Sequence, residues 1–126
     1  EDTTYGFTFA LPESWRGYEV INEQWEGNDS NGNTITGSAI VIRHPEWTEA
    51  EPRQDITIMI MTHAQWNAVQ AAELRIGSAP IPPKELGQNQ QYVFALPARY
   101  NYGFPTGYEE VEEILENDPL RPINVE

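Results

Sequence analysis

The side chains that could do chemistry in this chain are two histidines, four serines and a large excess of carboxylates. A zinc site would need both rings, His44 and His63, and a carboxylate gathered from distant segments, and neither His has a second ligand at helical spacing. His63 falls just inside a helix start and reads as a first-turn or packed ring, while His44 ends a strand before Pro45. Ser14, Ser30, Ser38 and Ser78 stand in no Gly-x-Ser-x-Gly elbow and begin no Ser-x-x-Lys pair. Asp29-x-Asn31-x-Asn33 opens like a calcium loop, but Thr34 stands where that loop needs Gly and Ile40 where it needs a bidentate Glu. Turn composition accounts for it better. Gly103 and Gly107 flank Phe104-Pro105-Thr106 with no Lys or Arg beside them to hold a phosphate. The sequence therefore points to no catalytic residue, no metal ligand and no cofactor.

One segment has the chemistry of a binding loop. In Tyr100-Asn101-Tyr102-Gly103-Phe104-Pro105, stiff aromatic rings alternate with small or polar residues that adapt their hydrogen bonds. No acidic residue occurs between Gly87 and Gly107, so this is the least repulsive stretch for an anionic or neutral ligand. Arg99, Tyr100, Asn101, Tyr102 and Phe104 are the candidate ligand-binding residues. The competing reading is that the rings are core, lidding the sheet beside the last helix.

The elements that would position this loop follow from the periodicity. Gly6 to Leu11 alternates, with Phe7, Phe9 and Leu11 on one face, and Pro12 ends it. Tyr18 to Trp25 is a more polar strand, nearer an edge. The turn formers from Gly27 to Asn33, with Asn31-Gly32, predict a hairpin. The strands Ser38–His44, Asp55–Met61 and Gln91–Leu96 are apolar on both faces and need cover on both sides. They should be neighbours in one sheet. The Pro- and Glu-rich segment between His44 and Arg53 should be exposed.

Two capping-box patterns mark helices. Thr62 with Gln65 starts one that runs to about Ile76. Thr106 with Glu109 starts a second, with Tyr108, Val111, Ile114 and Leu115 as its apolar stripe and Asp118-Pro119 as its end. Ala79 to Pro83 reads as a stiff extended connector. The fold expected is α+β: a mainly antiparallel sheet of five or more strands, covered by helices on both faces. Residues 1–118 make a single domain, and 119–126 carry no pattern and read as a loose tail.

The 126 residues hold 20 acidic and 7 basic side chains, a net charge of -13. Phosphate repulsion with no basic patch excludes nucleic acid as a partner, and an anionic membrane surface is disfavoured for the same reason. The chain has no Cys, hence no disulfide, thiol nucleophile or thiolate metal site. No apolar run is long enough for a transmembrane segment. The chain opens on Glu1 rather than Met, from which we expect a removed leader, either a signal peptide or a lipid anchor.

The opening Tyr5-Gly6-Phe7-Thr8-Phe9-Ala10-Leu11-Pro12-Glu13-Ser14-Trp15 is similar to the start of uncharacterised secreted proteins and lipoproteins of Gram-positive bacteria. Their ends resemble the strand Tyr92-Val93-Phe94-Ala95-Leu96-Pro97 followed by an acidic helix with Tyr108, Val111 and Ile114. The pattern more loosely resembles the PsbP-like fold, which implies an antiparallel sheet between helices. These motifs are structural and carry no site. The chain is thus expected to be an extracytoplasmic, non-enzymatic binding or accessory module for a protein or cell-envelope ligand. The alternative is a small hydrolase with an acidic site.

Overall fold

The computed structural model describes residues 6–71, 73–76, 83–97, 106–117 and 119–122. Six strands form one antiparallel sheet: β2 (Glu19–Asp29), β3 (Thr34–Arg43), β4 (Ile56–Thr62), β5 (Leu74–Ile76), β6 (Lys84–Gln88) and β7 (Tyr92–Leu96), in the order β5-β2-β3-β4-β7-β6. The short β1 (Phe7–Phe9) pairs antiparallel with β8 (Leu120–Pro122) in a separate ladder. Helix α1 spans His63–Gln70 and α2 spans Tyr108–Glu116. The chain is a single α+β domain.

The three strands that are apolar on both faces, β3, β4 and β7, lie side by side at the centre of the sheet. Side chains alternate across a strand, so each contributes to two clusters. Ile40, Ile42, Ile56, Ile58, Ile60 and Phe94 pack with Phe7, Trp15, Leu120 and the α2 residues Val111 and Ile114. Met59, Met61, Val93 and Ala95 pack with Trp25, Leu74 and the α1 residues Trp66 and Val69. Both helices are too short to persist alone, and these buried stripes hold them.

The two helix starts differ. Thr62 caps α1 as its sequence predicts: its hydroxyl accepts from the Gln65 amide at 3.1 Å, and Gln65 Oε1 accepts from the Thr62 amide at 2.9 Å. The helix stops at Gln70, however, and the chain turns back as strand β5, where the pattern suggested helix as far as Ile76. Leu74 is buried beside Trp66 there, and that burial outweighs local helix propensity. At α2 the predicted cap is corrected. Gly107 is the N-cap, at φ +85°, and Thr106 makes no side-chain cap. Thr106 instead bridges to Arg53, and its carbonyl accepts from the Gln54 amide at 2.8 Å.

Strands β5 and β8 are not legible locally because each is three residues long and pairs with a strand distant in sequence, while β6, in a hairpin with β7, is half polar and shifts register between Glu85 and Gly87. Of the pattern-less end of the chain, Leu120–Pro122 is strand β8, with Leu120 buried in the core. The segment between β3 and β4 is mostly exposed, as expected, but its ends are anchored. His44 is buried, and Arg43 stacks over Trp47 while gripping Asp55 with two hydrogen bonds of 3.0 and 2.8 Å.

Candidate functional site

The expected binding residues Arg99, Tyr100, Asn101, Tyr102 and Phe104 lie outside the described residues. The other chemistry-bearing residues are described, and most serve the fold. Asp29 turns the β2–β3 hairpin: its Oδ1 accepts from the amides of Asn31 and Asn33, each at 2.9 Å. These bonds, that to Asn33 foremost, hold its carboxyl below the usual range. The calcium-like triplet is thus a turn whose acidic group is taken up by its own backbone. His63 Nε2 donates to the Asn89 carbonyl at 2.8 Å. Asn89 in turn donates to the Gly6 carbonyl and accepts from the Gln91 and Tyr92 amides. That buried amide ties α1, the β6–β7 turn and the start of β1 together.

A polar cluster gathers near the start of α2. Residues Glu13–Trp15 form a single 3-10 turn after Pro12. Ser14 Oγ donates to Glu110 Oε2 at 2.7 Å, and Trp15 Nε1 donates to Glu110 Oε1 at 3.0 Å. The Trp15 ring meets His44 edge-on, centroids 4.9 Å apart. His44 Nδ1 accepts from the Glu46 amide at 3.0 Å, which places the neutral ring's proton on Nε2. Burial, and after it the positive charge of Arg53, holds this imidazole below its ordinary value. Among the described residues, the buried Nε of Arg53 has no hydrogen-bond partner.

This arrangement does not pair a nucleophile with a base. Ser14 gives its proton to a carboxylate whose second oxygen is already engaged, and the acceptor nitrogen of His44 is spent on backbone. The Glu110 bonds pin the 3-10 turn against α2, and the His44 bond closes the turn that follows β3. Among the described residues, no three His, Asp or Glu side chains gather to hold a metal ion.

The surface with an open apolar character lies on the other flank of the same cluster. Phe7, Phe9 and Leu11 of the first segment, Tyr18 just before β2, Val20 within it, and Ile40 and Ile42 of β3 line a cleft of about 180 Å³. Tyr18 is 42% exposed and Val20 50%, the large hydrophobics left open among the described residues. Val20 stands opposite Ile42 in the β2–β3 register, so the two share a face. From there the same face of β2 runs on through Asn22, Gln24 and Glu26, all exposed. Sequence reasoning placed this strand near an edge but passed over Tyr18 and Val20. The available signal was an apolar pair at the start of an otherwise polar face.

No helix among the described residues is long and apolar enough to cross a membrane. No family model matches the chain, and neither a curated protein nor a solved structure was found to be similar to it.

Proposed function

We propose that this chain is a non-enzymatic binding module that engages a protein partner outside the cytoplasm, through the cleft bordered by Phe9, Leu11, Tyr18 and Val20. The observation that carries the reading is the exposure of Tyr18 and Val20 beside that cleft. Isolated exposed hydrophobics are ordinary, whereas adjoining ones that open into an apolar cleft mark interaction sites. Covering a residue such as Val20 contributes about 1.5 kcal/mol or more to association. The extracytoplasmic setting and membership of a Gram-positive secreted or lipoprotein family rest on the resemblance of the opening strand and of the β7–α2 end of the chain. A PsbP-like sheet with helical cover on both faces is the arrangement that goes with that family reading. The two apolar clusters, each with residues of one helix, support it.

The test is site-specific photocrosslinking in the producing cells. A photoreactive residue at position 20 should give one discrete adduct in the envelope or secreted fraction. The same residue at Gln70, exposed on α1 at the opposite face of the sheet, should give none. Equal labelling at both positions, or none at position 20, would refute the reading.

A further inference from the structure

We infer that the outer edge of β2, from Val20 to Glu26, takes up an added strand: an extended segment of a partner protein in which Lys or Arg alternates with apolar residues. This deepens the binding-module reading and rests on it.

The backbone supplies the first reason. On its inner side β2 pairs with β3 from Glu19 to Asn28. On its outer side, among the described residues, β5 pairs only with Gly27, Asn28 and Asp29. In an antiparallel sheet, alternate residues of such an edge direct both N–H and C=O outward. That row is a template for a further strand.

Charge supplies the second. Glu19 and Glu23 are exposed on one face of this strand and Glu26 at the far end of the other, and the strand holds no Lys or Arg. Among the described residues none of the three enters a salt bridge. A second copy of this chain, added edge to edge, would set glutamates against glutamates, which destabilises a cross-strand pair. A basic strand meets the opposite situation. The chain's net charge of -13 also speeds the approach of a basic segment.

The alternation of side chains supplies the third. Val20 lies on the cleft face, while Glu19 and Glu23 lie on the other face. A residue of the added strand beside Val20 therefore extends its side chain over the cleft, where Phe9, Leu11 and Tyr18 favour an apolar group. Its two neighbours in the added strand turn to the glutamate face, where Lys or Arg fits.

The probe is a blocked peptide of about ten residues alternating Lys and Val. Two controls go with it, one carrying Glu for Lys and one with N-methylated valines, which removes backbone donors. Saturable binding is expected, with amide exchange at alternate residues between Val20 and Glu26 slowed about tenfold or more. Val20→Lys, at an exposed position, should weaken binding about tenfold, and both control peptides should fail to bind. No slowing in β2, or equal binding of the N-methylated peptide, overturns strand addition. If the crosslink at position 20 still forms in cells while β2 amides stay unprotected, the cleft binds without an added strand. If both fail, the module reading falls with it.

Discussion

Gly37→Ala is the most informative single substitution in the core. Gly37 pairs across the β2–β3 ladder with Trp25, and the indole lies against it. A methyl at Gly37 would stand 2.5 Å from Trp25 Cζ2 and closer still to Nε1 and Cε2. Carbon contacts settle near 3.5 Å, so the ring must retreat by about 1 Å. Trp25 Nε1 donates to the Ile60 carbonyl at 2.9 Å, one residue beyond the end of the β3–β4 ladder. Retreat breaks that bond and leaves the buried carbonyl unsatisfied, a loss of about 1–3 kcal/mol. The indole buries roughly 200 Å² among Met59, Met61, Trp66 and Val69, and uncovering a quarter of it costs about 1 kcal/mol more. Restricting the unfolded chain returns only about 0.4–1 kcal/mol. The net expectation is a destabilisation of about 2–3 kcal/mol, measured by urea unfolding followed by far-ultraviolet circular dichroism. Trp25→Phe removes the donor and slims the ring, so in the double variant the Gly37 effect should shrink by half or more. A Gly37→Ala protein within about 0.5 kcal/mol of the parent would refute this account of the contact.

The two helix starts should respond differently to the same change. Thr62→Ala loses the capping box and should cost about 1 kcal/mol, whereas Thr106→Ala should leave the denaturation midpoint nearly unmoved. A double-mutant cycle on Arg43 and Asp55 should give a coupling of about 1–2 kcal/mol, because the bond is bidentate and both side chains are more than three-quarters buried. The His44 imidazole titrates below its ordinary 6.5, so as pH falls past that value the unfolded chain takes up a proton the native state resists. Stability should therefore drop on acidification. Replacing His44 by Gln should flatten that part of the pH dependence in paired unfolding titrations at pH 7.5 and 5.5, and an unchanged slope would remove His44 as the cause.

How far the sequence could be read followed the range of the interactions. The central strands were visible because burial on two faces writes a continuous apolar run into Ile56–Thr62 and Tyr92–Leu96. The α1 cap was visible because its partners are three residues apart. The same pattern misled at α2, where the Thr106 backbone is held by Gln54, over fifty positions earlier, and Gly107 takes the left-handed turn instead. Strands β5 and β8 depend on partners supplied by the opposite end of a loop or of the whole chain, and three residues carry no period. The Ser14–Glu110 and Trp15–Glu110 contacts were equally illegible, since Glu110 sits in a run of glutamates that local pattern assigns to solvent. Tyr18 and Val20, an apolar pair opening a polar face, gave only a weak signal for the converse reason. An apolar residue at a strand start is ordinary until its neighbours are known to leave it uncovered.

The β1–β8 ladder also decides how the domain meets mechanical tension. Phe7 lies opposite Pro122 and Phe9 opposite Leu120, so the outgoing chain at either side departs from the same end of the ladder. Tension applied between those two points loads one hydrogen-bonded pair at a time, peeling the ladder rather than shearing it. Each step draws Phe7 or Leu120, both core residues, out of contact with Phe94 and its neighbours. Held at one side only, the domain never feels that force. Strung between two attachments, it opens first where its beginning and its end are fastened together.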